Sequence, residues 1–125
     1  VADITVIDGS DGVWARVRSY DVSVWPDDIE CLDSETWKLT VEYRGRGLWA
    51  VTRGGMRTCL NADGEWDYEM RPSEREDEWL AAHRFSLGDA IDLARRHAPD
   101  VTINGLTAVE VLARHRERHP DGCDG

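Results

Sequence analysis

The sequence predicts an α+β fold: an antiparallel meander of about five strands over residues 2–70, followed by two or three helices packed on one face of the sheet. Three observations carry this. Apolar and polar residues alternate strictly at Trp37–Tyr43 and Glu65–Met70, the period of half-buried strands. Glycine-centred turns separate the strand-like runs closely enough for hairpins. After Ser86 the apolar spacing changes to the helical period, with capping signals ahead of it.

Ile4 and Val6 begin a short first strand, which the turn residues Asp8 to Gly12 close. Val13, Ala15 and Val17 alternate with Trp14, Arg16 and Arg18, so a second half-buried strand is expected, running with a break to Trp25 before Pro26. Residues 26–34 read as an acidic loop. Trp37, Leu39, Val41 and Tyr43 then share one face, with Lys38, Thr40 and Glu42 on the other. Gly45-Arg46-Gly47 turns the chain, residues 48–53 return, and Gly54-Gly55 is a hairpin signal leading to residues 56–60. Asp63-Gly64 turns again into Glu65–Met70. Ser73 is placed to cap a short helical turn through Leu80. Ser86 and Asp89 suit a helix start, and Leu87, Ala90, Ile91, Ala94 and Ala98 form its inner stripe. Asn104-Gly105 is a turn, and Thr107 with Glu110 matches a capping box for a last helix. The whole chain, 1–125, reads as one domain, in which residues 1–70 form the sheet, residues 73–119 form the helices and residues 120–125 are a loose tail.

The net charge is -10, from 25 acids against fourteen Arg and one Lys. The surplus lies before residue 81, in Asp21–Glu35 and Asn61–Leu80. Free nucleic acid is therefore not expected as a direct ligand, because phosphate binding needs a clustered basic surface. Three separated cysteines without a CxxC motif fit free thiols in a reducing cytoplasm. No apolar run approaches the ~20 residues of a membrane span, and no signal peptide is read at the N-terminus.

The row Glu65, Asp67, Glu69 is the leading candidate site. Same-face residues on a strand stand ~6.6 Å apart, too far for all three to converge on one ion. A divalent-metal site, the enzymatic reading, is thus less favoured than a negative binding face. The plain alternative is a solvated strand face. With Glu76, Asp77 and Glu78 as further charge and Trp79 as an apolar anchor, the row reads as a partner-binding surface. His115, His119 and Cys123 are the other metal candidate, since H-x3-H puts two imidazoles on one helix face. The favoured reading is a polar helix end. Cys59 can be drawn against any histidine as a nucleophilic dyad, without a local signature. No catalytic residue and no cofactor is assigned.

The stretch W-A-V-T-R-G-G-M-R-T-C-L-N-A-D-G-E-W-D-Y-E-M-R-P-S-E-R-E-D-E-W-L from Trp49, with H-R-F-S-L and A-P-D-V-T-I-N-G-L-T after it, is similar to small hypothetical proteins of actinobacteriophages and their actinobacterial hosts. The resemblance covers a little under half of the chain. It implies a phage or prophage origin and brings no activity to carry over. The expected function is binding of a host protein with a basic surface, in host takeover or anti-defence, within the host cytoplasm. An immunity-type or antitoxin-type inhibitor of a basic toxin, a metal-dependent hydrolase and a virion-associated role stay open as alternatives.

Overall fold

A five-stranded antiparallel sheet in simple sequential order carries the fold. The structure is a computed structural model that describes residues 6–7, 10–24, 37–53 and 57–120. A short hairpin comes first, pairing β1 (Val6–Ile7) with β2 (Ala15–Arg16). The main sheet follows as β3 (Ser19–Val22), β4 (Leu39–Gly45), β5 (Leu48–Arg53), β6 (Thr58–Leu60) and β7 (Trp66–Tyr68). After a 3-10 turn at Pro72–Glu74 come helices α1 (Asp77–His83) and α2 (Leu87–His97). A second small hairpin, β8 (Thr102–Ile103) with β9 (Leu106–Thr107), leads into α3 (Ala108–Arg118). The α+β meander-then-helices order is thus as expected.

The register explains the core. Val41 pairs with Tyr20 and Val51, Leu39 with Val22, Tyr43 with Trp49, and Leu60 with Trp66. Directly paired residues project to the same side, so one face of the sheet is almost wholly apolar. Helix α2 lies across that face and buries Ala90, Leu93 and Ala94 against β4 and β5. Trp49 is fully buried, with the Tyr20 and Tyr43 rings 5.7 and 5.2 Å from it. Leu93 belongs to this stripe, although the sequence reading leaves it out.

The turns follow their residues. Gly45, Arg46 and Gly47 all take positive φ in the tight β4–β5 turn, and Asn104-Gly105 does the same between β8 and β9. Gly64 combines φ +85° with close approach: a Cβ there would stand 2.5 Å from the His97 ring. The Gly54-Gly55 turn, the 26–34 loop, Cys31 and Cys123 lie outside the described residues.

Two elements differ from expectation. The strand expected from residue 13 onward with a break is found as β2, only Ala15–Arg16 and exposed, and after the break as β3 (Ser19–Val22), while Val13 and Trp14 face solvent. Nothing among the described residues covers those side chains, so alternation there marks a hairpin and not a core strand. Trp37 lies just ahead of β4, half-buried, and its indole N–H donates to the Leu106 carbonyl at 3.2 Å. It fastens the β8–β9 hairpin to the sheet instead of extending the strand.

Helix starts are chemically marked. Ser86 Oγ accepts from the Asp89 amide at the start of α2. Thr107 and Glu110 form a complete capping box at the start of α3. By contrast, α1 begins at Glu76 without a side-chain cap, and Ser73 sits in the 3-10 turn. Helix α1 does not join α2 on the apolar face. Its end brings His83, and Arg84 beyond it, to the opposite side of the sheet, where the carboxylates are.

Candidate functional site

On that opposite face, β4, β5, β6 and β7 with the residue just beyond it contribute Glu42, Ala50, Thr52, Cys59, Asp67 and Glu69 in register. Ala50 and Cys59 are fully buried, and Thr40 and Thr52 nearly so. Small side chains at the centre leave room for long ones to lie across them from both edges. Arginines fill that room. Arg44 reaches over β5 and β6 to Glu69 with two hydrogen bonds, Nε–Oε1 at 2.8 Å and the terminal nitrogen to Oε2 at 3.0 Å. The same terminal nitrogen holds Glu42 at 3.1 Å. Arg84 donates to Glu69 Oε1 at 3.1 Å, and Arg75 stands 3.7 Å from the same oxygen.

Glu69 therefore faces three guanidinium groups at 14% side-chain exposure, and Arg84 at 3% is the most deeply buried of the three. Burial by itself raises a carboxyl pKa; the Arg44 hydrogen bonds and the charges of Arg44, Arg84 and Arg75 outweigh it and hold Glu69 below the usual carboxylate range. The arginines split. Arg44 is pushed further up by its bonds to Glu69. Burial, followed by repulsion from Arg75 and Arg44, lowers Arg84. The difference follows from geometry, because Arg44 has two carboxylates and Arg84 shares one. Both guanidiniums stay charged.

Asp67 is occupied too. His83 Nε2 lies 2.7 Å from Asp67 Oδ2, and Asn61 donates to the same oxygen at 2.9 Å. These bonds, His83 first, hold the Asp67 carboxyl below its ordinary value. The other ring nitrogen of His83, Nδ1, lies 2.7 Å from the Trp79 carbonyl oxygen. Both ring nitrogens of His83 thus face oxygen atoms, one of a carboxylate and one of the backbone. Trp79 stacks on His83 at 4.2 Å, with Arg84 and Arg75 over its ring at 5.0 and 5.6 Å. Its indole is thus half-buried within the cluster.

The sequence-predicted residues accordingly divide in two. Asp67 and Glu69 have their carboxylates engaged by partners within the molecule, Glu69 largely buried and Asp67 at the surface with 41% side-chain exposure, and Trp79 is largely built into the same cluster. Glu65 is exposed at the start of β7. Glu76, Asp77 and Glu78 are exposed on the first turn of α1, and Glu74 precedes them on the 3-10 turn. None of these five carboxylates forms an ion pair with a described residue. Met70, Glu74, Glu76, Glu78 and the free edge of Trp79 line a shallow hollow of about 370 Å³.

The arginine cluster escaped the sequence reading, yet one signal pointed to it. Leu48 to Thr52 is apolar or small at every position, and β5 is buried on both faces, the mark of a strand with layers on each side.

Cys59 is fully buried, and burial raises its thiol pKa, which disfavours the thiolate needed for attack. His83 already spends both ring nitrogens, leaving none to activate a nucleophile. The His115 and His119 rings lie 4.7 Å apart at the end of α3, beside Arg114 and Arg118; Cys123 lies outside the described residues. Among the described residues, no three His, Cys, Asp or Glu side chains stand where one metal ion could bind them together. No described helix is long and apolar enough to cross a membrane. Comparison with protein-family models, with curated proteins and with solved structures finds no match.

Proposed function

We propose that this protein acts by binding a macromolecular partner, a protein with a basic surface, and not by catalysis. The observation that supports the reading is the sorting of its carboxylates. Glu42, Asp67 and Glu69 are tied down by Arg44, Arg75, Arg84 and His83. Glu74, Glu76, Asp77 and Glu78 are left exposed along one edge beside Trp79. The first group makes the second rigid, because α1 is anchored at its far end through His83 and Arg84. A preorganised acidic edge loses little entropy on binding a basic partner and attracts it over a long range. Glu65 adds charge at the far end of β7.

On the resemblance read from the sequence of residues 49–107, we take a host protein, met in the host cytoplasm, as the class of partner to test. The test is a pull-down from actinobacterial lysate with the wild-type chain and with Glu74→Gln/Glu76→Gln/Glu78→Gln, followed by affinity measurement on each captured protein at two salt concentrations. The expected result is a basic partner bound at least about tenfold more weakly by the triple variant, with the gap narrowing at high salt. Equal affinities at low salt would refute the proposal.

A further inference from the structure

Among the described residues, positive charge gathers around an open hollow of about 300 Å³ beside the 3-10 turn, lined by Arg44, Arg57, Arg71 and Arg75 with Glu69 as its one carboxylate. Glu69 is already shared among three arginines, so the cavity keeps a clear excess of positive charge. Arg57 and Arg71 are exposed and have no ion-pair partner among the described residues. A second hollow of about 340 Å³ shares Arg44, Pro72 and Arg75 with the first and adds Arg46 and Arg84, with no acid in its lining. Bringing this many guanidiniums together costs repulsion, and among the described residues Glu42 and Glu69 are the carboxylates paired with them.

We propose that this arginine-lined cavity binds a compact phosphate-bearing small molecule. Guanidinium forks match phosphoryl oxygens in pairs, which makes Arg the residue type for such recognition. The rigid members are in place before any ligand arrives. Arg44 is fixed by Glu42 and Glu69, and Arg75 by its Nε bond to the Met70 carbonyl at 2.7 Å. Arg57 and Arg71 remain available to close on the anion. Met70 and Pro72 give one wall an apolar surface against which the organic portion of a phosphomonoester can lie. The volume is at the small end for ligand pockets. Glu74 at the end of the same turn and Glu76, Asp77 and Glu78 just beyond it would repel an extended polyanion, so the geometry selects a compact anion over nucleic acid.

The probe is pyrophosphate, titrated into the intact chain at physiological salt. Thermal unfolding and amide chemical shifts are followed together. The expected result is a saturable rise in the unfolding midpoint, with shifts concentrated at Arg44, Arg57 and residues 70–75. Arg57→Gln/Arg71→Gln should weaken the apparent affinity at least about tenfold, as expected for loss of charge-assisted bonds. Arg95→Gln/Arg116→Gln, which removes the same charge from exposed helix faces, should leave it unchanged. The proposal is overturned if no saturable response occurs, if both double variants respond alike, or if an oligonucleotide binds in preference to pyrophosphate.

Discussion

Glu69 accepts from Arg44 and Arg84 and stands beside Arg75, and its position explains why the carboxylates along β7 differ in fate. Alternation places Asp67 and Glu69 on the face that also carries Ala50 and Cys59, where long cations from β4 and from the α1 end can lie over small residues. Glu65, at the start of the strand, lies beyond the reach of those cations. The linkage to pH has a definite sign. Asp67 and Glu69 both have folded pKa values below the ordinary carboxylate value. The unfolded chain therefore binds more protons as the pH falls through that range. Their contribution to stability is complete above the unfolded pKa, near pH 4, and is lost as the pH falls through the lower folded values. Urea unfolding across the acid range should show stability decreasing below about pH 4, with a shallower decrease in Asp67→Asn/Glu69→Gln, which lacks both titrations.

At the scale of elements, the best-predicted features are those fixed by local chemistry. Gly45-Arg46-Gly47 and Asn104-Gly105 turn where positive φ is needed, and Thr107 with Glu110 caps α3, because each acts within a few residues of itself. The capping box predicts a measurable cost: Thr107→Ala should destabilise the protein by about 1 kcal/mol and raise amide exchange in the first turn of α3, with Thr107→Ser close to wild type. The first part of the strand expected from residue 13 onward shrank to Ala15–Arg16 because alternation specifies a face without specifying a layer to cover it. The strand expected at 48–53 is present with those bounds, and what the sequence did not announce is its second covering layer. Trp49 and Val51 on one face and Ala50 and Thr52 on the other report two covering layers, in a run that is apolar or small at every position and so does not alternate.

Across the whole molecule, charge is arranged by long-range contacts that no local pattern contains. Arg44 and Glu69 are 25 positions apart, and Arg84 and Glu69 are 15. From sequence alone, an acid on an alternating strand and an acid on an exposed turn look the same. That is why Glu65, Asp67, Glu69 and Glu76–Glu78 form one continuous row in sequence and two separate groups in space. Segment 61–80, with eight acids against two arginines, thus folds around an arginine cluster, and its carboxylates from Glu74 to Glu78 form the outer edge. The basic cavity and the acidic edge meet at the Pro72–Glu74 turn, so one short segment presents both signs of charge to its surroundings.

The division of the carboxylates into an inner clamp and an outer edge is the claim on which both functional proposals stand. Equilibrium urea unfolding of Glu69→Gln beside Glu76→Gln at neutral pH tests it most directly. Removing Glu69 leaves the deeply buried Arg84 without its counter-ion, and the predicted loss is about 3 kcal/mol, the low end for breaking a buried pair because Glu69 keeps some exposure. Glu76→Gln should change stability by less than about 0.5 kcal/mol. Equal losses in the two variants, or a Glu69→Gln protein as stable as wild type, would contradict the account.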